Sequence, residues 1–158
     1  MDKAKQKDYA RRVAQANKTE LVVLTYDIIL EETGEAKALY NAGNIEEARY
    51  AMKRAQRFLG ELMSVLDFRY SPAAQLLSLY EYVQRIFVKC DVSGECAGLE
   101  NAERVIDGLR SAFDGIASED KSGAVMENTQ SVYAGLTYGK NSLNEMNLSD
   151  GSNRGFLA

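Results

Sequence analysis

Two cysteines are the side chains of this 158-residue chain that are best suited to redox or metal chemistry. Cys90 and Cys96 do not form a CxxC redox motif, and in a chain without histidine they lack the further ligands that a zinc site requires. Cys90 falls on an apolar helix face, where a thiol packs as a small hydrophobic side chain. We therefore expect a buried Cys90, and we expect a reducing cytoplasm to disfavour a disulfide with Cys96.

Adjacent carboxylates at Glu31-Glu32 and Glu46-Glu47 are the next candidates for chemistry. Neighbouring residues diverge by about 100° on a helix, so we expect each pair on a solvated helix face. Without histidine, the chain has no Ser-His or Cys-His pair and no imidazole that titrates near neutral pH. It also has no Walker or GxGxxG phosphate loop. The sequence predicts no enzyme, no metal site and no cofactor.

Charge and hydropathy limit the classes of partner and the cellular location that we expect. A net charge of −4 gives no reason to expect nucleic acid or an anionic membrane as a partner. No apolar run approaches a membrane span, and residues 1–12 lack the apolar core of a signal peptide, so we expect a cytoplasmic protein without direct membrane insertion. Those first residues are locally basic, and we expect a solvated, frayed terminus rather than a binding arm.

Apolar residues spaced three and four apart predict amphipathic helices along most of the chain. Asn17 is a good N-cap for the first, which we expect to run to about Tyr40. Asn44, with Glu47 three residues on, predicts a capping box for the second. The third helix has a Ser-Pro start signal and a Ser-Gly stop signal, at Ser71-Pro72 and Ser93-Gly94.

Short connections between these helices predict an all-α fold, an antiparallel up-down four-helix bundle. We expect the bundle to span residues 17–117. A basic N-terminal segment, residues 1–16, precedes it and could itself be helical. Residues 118–158 form a C-terminal extension, predicted as a short helix over about 124–136 followed by a flexible tail. The expected oligomeric state is a monomer or a weak homodimer.

The first and third bundle helices carry more apolar residues than one core-facing stripe needs. On the first helix the stripe is Leu21, Leu24 and Ile28, and further apolar residues widen the arc. We predict that the surplus forms a groove for an apolar partner segment, lined by Val22, Tyr26, Ile29, Leu30, Leu77, Tyr82 and Val88. Alternatively, the N-terminal segment or the tail covers this face.

The tail contains apolar residues within a glycine- and asparagine-rich stretch, so it could fold back on the same face and be displaced by the partner. The candidate cover residues are Tyr133, Leu136, Tyr138, Leu143, Met146 and Phe156. A tail that is simply disordered is the alternative.

Several short motifs, taken in order across the helices, carry a family resemblance. They are Ala55-Gln56, Glu61-Leu62, Leu66-Asp67, Leu79-Tyr80-Glu81-Tyr82 and Leu109-Arg110-Ser111-Ala112-Phe113. From Tyr9 to Phe113, roughly two-thirds of the chain, the pattern resembles the flagellar secretion chaperone family FliS. The chain departs from the family pattern at Asn17-Lys18, where the family has Ser-Pro, and at Phe113, where it has Trp.

The resemblance implies an export chaperone that binds the disordered C-terminal segment of flagellin, prevents premature polymerisation and delivers the cargo to the export gate. The gate's membrane protein FlhA is the docking partner that it implies. By position in the family pattern, Tyr9 and Val13 lie in the N-terminal segment that docks at the gate or covers the groove. A helical adaptor or secretion chaperone for a different cargo protein remains the alternative.

Overall fold

The computed structural model describes residues 3–94 and 96–126. This part of the chain contains five α-helices and no strand: α1 (Lys3–Gln15), α2 (Lys18–Asn41), α3 (Ile45–Ser64), α4 (Ala73–Ser93) and α5 (Leu99–Ala117). None of these helices is long and apolar enough to cross a membrane. The predicted all-α fold is confirmed, and α2 to α5 are the predicted bundle helices.

In the bundle, α2 and α4 occupy opposite corners. Each packs against both α3 and α5, and α1 packs on α2. Residues 42–44 and 94–98 connect the helices at one end, which we call the turn end, and residues 65–72 connect α3 to α4 at the other end. All five helices belong to one compact unit, Met1–Glu127. The predicted domain boundary at residue 117 stays a prediction.

The inner face of α3 carries the regular apolar stripe that the sequence predicts. Its buried members are Ala48, Ala51, Met52, Ala55, Leu59 and Leu62. The alanines have small side chains, which allow closer contact between the axes of packed helices, and α3 packs on α2. Phe87 and Ile106 from α4 and α5 are also fully buried. Each large core side chain contributes roughly 1.5–3 kcal/mol by its removal from water.

Two of the predicted helix ends are confirmed in atomic detail. Asn17 Oδ1 accepts a hydrogen bond from the Glu20 backbone N–H at 2.8 Å, and Glu20 Oε2 accepts from the Asn17 N–H at 2.9 Å, which completes a capping box. At the predicted Ser-Gly stop signal, α4 ends at Ser93 and Gly94 adopts the left-handed conformation with φ 69°.

The predicted capping box at Asn44 is wrong, because the end of α2 already uses that residue's backbone. Gly43 has φ 80°, the Gly43 N–H donates to the Tyr40 carbonyl at 3.1 Å, and the Asn44 N–H donates to the Leu39 carbonyl at 2.9 Å. These bonds form a Schellman motif, and the Asn44 side chain makes no cap hydrogen bond.

The predicted start of the third bundle helix also needs correction. Ser71 is not the cap residue, since α4 begins at Ala73 and Pro72 occupies the cap position. The Pro72 carbonyl accepts the first helical hydrogen bond, from the Leu76 N–H at 2.9 Å.

Two expectations about polar and terminal residues are wrong. The N-terminal segment is not frayed, because Lys3–Gln15 forms α1. Glu32 does not lie on a solvated face; it is fully buried, and its Oε1 accepts from Arg54 Nε on α3 at 2.9 Å. By contrast, Glu46 and Glu47 are exposed as predicted. Residues 124–126 are not helical, and the rest of the predicted C-terminal helix and tail lies outside the described residues.

Cys90 is fully buried as expected, but it forms a disulfide with Cys96, contrary to expectation. The left-handed Gly94 turns the chain back at the end of α4, so the Cα atoms of the two cysteines lie 4.6 Å apart. The disulfide therefore closes the α4–α5 connection at the turn end.

Replacing Asn17 with alanine should lower the free energy of unfolding by about 1 kcal/mol, because α2 loses the side-chain acceptor of its capping box. Asn44→Ala is the matched control; it removes no cap hydrogen bond, so we expect a change within about 0.5 kcal/mol. Urea denaturation of both variants measures the difference. Equal losses at the two positions would contradict the roles assigned to the two asparagines.

Candidate functional site

An apolar groove of about 690 Å³ opens at the end of the bundle where α2 and α4 begin and α3 and α5 end. We call it the end groove. The first turns of α2 and α4, the last turns of α3 and α5, and the α3–α4 connection form its walls. Its apolar lining is Val22, Leu62, Val65, Leu66, Tyr70, Pro72, Ala73, Leu76, Tyr80, Phe113 and Ile116, and its polar lining is Lys18, Thr19 and Asp67.

Aromatic side chains meet at the base of the end groove. Tyr80 lines the groove, and its hydroxyl is hydrogen-bonded to the Tyr26 hydroxyl of α2 in the core. The ring centroids of Tyr26 and Phe113 lie 5.6 Å apart. Burial raises the pKa of Tyr26 and of Tyr80, so both side chains keep their hydroxyl hydrogens at neutral pH.

Large exposed apolar side chains surround the end groove. Val65, Tyr70 and Ile116 line it, yet they are 70%, 68% and 55% exposed to solvent. Phe68, in the same connection as Val65, is 64% exposed. A monomer rarely leaves a large contiguous apolar patch in water. This end of the bundle therefore has the character of a binding surface for an apolar partner.

A local ion pair supports the α3–α4 connection that carries three of these side chains. Asp67 Oδ1 accepts from the Arg69 backbone N–H at 3.0 Å, and the Arg69 guanidinium contacts both carboxylate oxygens of Asp67. These hydrogen bonds hold the pKa of Asp67 below its usual value. The Tyr70 N–H then donates to the Asp67 carbonyl at 3.1 Å. The connection is a defined turn, which presents its apolar side chains in a fixed arrangement.

Helix α1 lies on the outer side of α2 and contributes no residue to the end groove. The Tyr9 hydroxyl donates to Glu31 Oε2 at 3.1 Å, and Arg12 Nη2 pairs with Asp27 Oδ2 at 3.1 Å. Burial, and then the hydrogen bond to Glu31, raises the pKa of Tyr9 to about 12. Leu24 and Ile28 of α2 are buried. By helical projection they lie on the side of α2 that bears Asp27 and Glu31. The stripe that the sequence predicts as core-facing therefore lies on the side of α2 that α1 covers, whereas Tyr26 and Ile29 belong to the main core cluster.

The segment after α5 is tied to the start of α2, beside the end groove. Thr19 Oγ1 donates to Asp120 Oδ2 at 2.7 Å, Asn17 Nδ2 donates to the Asp120 carbonyl at 3.3 Å, and the Val125 N–H donates to the Ala16 carbonyl at 3.0 Å. The hydrogen bond from Thr19, followed by those from Ser122, lowers the pKa of Asp120 to about 2. Because Thr19 also lines the groove, the chain passes its rim on the way to the C-terminal tail.

Of the α2 residues predicted to bind cargo, the structure brings Val22 to the end groove. Tyr26 and Ile29 are fully buried, so their assignment to an exposed groove is wrong. The physical reason is that α2 is enclosed by bundle helices and by α1, and both residues point into the core. Leu30 is half-buried and lines a separate, largely charged depression that Lys37 and Glu103 also line.

The predicted α4 residues lie away from the end groove. Leu77 is half-buried, Tyr82 is 39% exposed and Val88 is 42% exposed; Val88 lines a shallow depression formed by α4 alone. Their contact with cargo stays a prediction. Tyr9 and Val13 are half-buried on α1. The six predicted cover residues lie outside the described part of the chain: Tyr133, Leu136, Tyr138, Leu143, Met146 and Phe156.

Sequence reasoning missed most of the groove lining because the groove forms around helix ends. Projection around a helix axis separates faces but does not show which turns meet at the end of a bundle. The available signal was the four large apolar residues within one eight-residue connection: Val65, Leu66, Phe68 and Tyr70. In the described residues, no cluster of acidic and cysteine side chains could hold a metal ion.

Comparison with known protein families shows which family the chain belongs to. A family model described as flagellar protein FliS matches residues 1–120, well over half of the chain. No curated protein matches the sequence. The matched region contains all five helices and nearly all of the end groove's surroundings described above. FliS proteins are chaperones rather than enzymes, and the helical bundle fits that class. The chain therefore belongs to the FliS family of flagellar export chaperones.

Proposed function

We propose that the end groove binds the C-terminal segment of flagellin, keeps it from polymerising prematurely and releases it at the export gate. The observation that carries this proposal is the cluster of large apolar side chains that line the groove while remaining more than half exposed, Val65, Tyr70 and Ile116. Membership of the FliS family supports flagellin as the cargo in this proposal. The alternative is that the groove binds another secreted protein as its cargo in place of flagellin.

The groove's chemistry suits the apolar face of an amphipathic segment. Its lining is mainly aliphatic and aromatic, and its few polar residues, such as Lys18 and Asp67, carry opposite charges. A helix in such a groove anchors through residues one turn apart. Each anchor removed from water contributes roughly 1.5–3 kcal/mol, while ordering a disordered segment costs about 2–5 kcal/mol. Four anchors therefore outweigh the cost of ordering the segment.

We also propose that α1 docks at FlhA through Tyr9 and Val13. Its position supports this: α1 lies on the outer side of α2 and contributes nothing to the lining of the end groove. A gate protein could contact α1 while cargo occupies the groove. The contacts of α1 with α2 include ion pairs of partly exposed side chains, Lys5 with Glu31 and Arg12 with Asp27. Such pairs are weak, so a partner can compete for α1.

The third proposal is that the C-terminal tail covers the cargo site until cargo displaces it. Its support within the described residues is the position of residues 118–126, which run beside Thr19 at the rim of the groove. The six candidate cover residues follow in the remaining sequence.

Val65→Glu should weaken binding of the flagellin C-terminal segment by at least about tenfold, because a carboxylate would be desolvated under the bound segment. Val92→Glu is the matched control: Val92 is also a valine, is 73% exposed against 70% for Val65, and lies near the turn end of α4. It should stay within about threefold of the unmodified protein, the range of minor interface contacts. Fluorescence anisotropy with a labelled segment measures both. Equal affinities for the two variants would exclude the end groove as the cargo site.

A Tyr9→Ala/Val13→Ala variant should bind the soluble part of FlhA at least about tenfold more weakly, the loss expected for central interface residues. Its affinity for flagellin should change by less than about twofold, because neither residue lines the groove. Val65→Glu supplies the opposite control, with weak cargo binding and normal FlhA binding. Unchanged FlhA binding by the α1 variant would refute the gate contact.

Ending the chain after Met126 should tighten flagellin binding by about threefold or more, since a groove covered part of the time binds more weakly in proportion. It should also lower solubility. Met126 is chosen as the end point because it keeps the contact of Asp120 with Thr19. Titration calorimetry of the two chain lengths makes the comparison. An identical affinity would remove the support for self-covering.

A further inference from the structure

The hydroxyl groups of Tyr26 and Tyr80 leave one hydrogen without an acceptor. Each tyrosine hydroxyl carries one hydrogen and can also accept. A hydrogen bond between the two uses the hydrogen of one and the oxygen of the other. Neither hydroxyl makes a further hydrogen bond within residues 3–94 and 96–126. The tyrosine that accepts therefore keeps an unused donor, in a place where Tyr26 is 0% and Tyr80 2% exposed.

Tyr26 and Tyr80 have different surroundings. This difference decides on which of the two the unused hydrogen could serve a ligand in the end groove. Tyr26 is enclosed in the core and does not line the end groove, whereas Tyr80 does line it. If Tyr80 donated to Tyr26, the unused hydrogen would stay in the core, where an unsatisfied donor is costly. If Tyr26 donates, the unused hydrogen belongs to Tyr80, the residue of the pair that lines the groove.

We propose that Tyr80 determines the specificity of the end groove by donating its hydroxyl hydrogen to a neutral side-chain oxygen, a carboxamide or a hydroxyl, on the apolar face of the bound segment. This inference rests on the proposed binding of the flagellin segment in the groove. It adds a requirement to that binding: one polar, uncharged residue of the segment faces the base of the groove among apolar anchors.

The chemistry of the site selects a neutral acceptor. A carboxylate would lose its hydration in the apolar groove, and the opposite charges of Lys18 and Asp67 in the lining offset each other. The backbone carbonyls of a helical segment are occupied by its own hydrogen bonds. Burial keeps both tyrosines in the hydroxyl form, so the donor is present throughout the neutral pH range. A side chain that ends in an amide or hydroxyl oxygen is the acceptor that remains.

The test compares Tyr80→Phe with its matched variant Tyr26→Phe. Both keep the aromatic ring and both abolish the inter-tyrosine hydrogen bond, so a loss of affinity that comes only from breaking that bond would be the same in both. We expect Tyr80→Phe to bind the flagellin C-terminal segment about five- to tenfold more weakly, the loss of one hydrogen bond to a buried donor. Tyr26→Phe leaves the Tyr80 hydrogen in place and should stay within about twofold.

A scan of the segment locates the acceptor. Each Gln, Asn, Ser and Thr of the segment is replaced in turn by Met, Leu, Ala and Val, respectively, and binding to the unmodified chaperone and to Tyr80→Phe is measured. We expect one replacement to weaken binding to the unmodified chaperone but not to Tyr80→Phe, which is the signature of a direct contact.

The outcomes separate this inference from the proposed function. If the unmodified chaperone does not bind the segment, the proposed function fails, and the inference fails with it. If the segment binds but Tyr80→Phe and Tyr26→Phe lose affinity equally, or neither loses any, the inference alone is overturned. Should Tyr80→Phe fail to fold, the scan against the unmodified chaperone decides: if all apolar replacements bind as well as the original segment, Tyr80 makes no such contact.

Discussion

The enclosure of α2 is the constraint on which the rest of the molecule depends. Helices α3 and α5 pack on two of its sides, α1 packs on its outer side, and Tyr26 reaches Tyr80 of the diagonal helix α4. Even its polar residues must be satisfied inside: Thr33 Oγ1 donates to the Ile29 carbonyl at 2.7 Å, and the buried Glu32 pairs with Arg54. A buried carboxylate that lost its partner would be strongly destabilising, so the α2–α3 pairing is held in register as well as packed.

Charge then determines how the peripheral helix is attached. Asp27 of α2 pairs with Arg12 of α1 and with Arg110 of α5, so one carboxylate joins three helices. The α1 contacts to α2 include hydrogen bonds and ion pairs at partly exposed side chains, whereas the bundle helices share a continuous apolar core. Exposed ion pairs typically contribute less than about 1 kcal/mol each. Helix α1 is therefore attached partly by weak ion pairs, and it also covers the buried Leu24 and Ile28 of α2.

The sequence predicted the helices well because their signals are local. The stripe on α3 and the cap at Asn17 each depend on residues a turn apart, and both are confirmed. The capping box predicted at Asn44 was wrong because the Schellman motif at Gly43 fixes the Asn44 backbone. The side-chain type of Asn44 alone does not reveal this. The assignment of Tyr26 and Ile29 to an exposed groove was wrong because the extent of an apolar arc does not show which neighbouring helices cover it. Val65 and Ile116 were missed because the end groove joins turns that lie far apart in sequence.

The two ends of the bundle differ in how tightly the chain constrains them. At the turn end, a Schellman turn joins α2 to α3, and the Cys90–Cys96 disulfide lies within the α4–α5 connection. At the end that holds the groove, an eight-residue connection joins α3 to α4, while the start of α2 and the end of α5 are linked only by hydrogen bonds. Short closed connections restrict separation of helices far more than long or absent ones. We therefore expect the end that holds the groove to be the more compliant of the two, because the connection that closes it is the longest of the three that join the bundle helices.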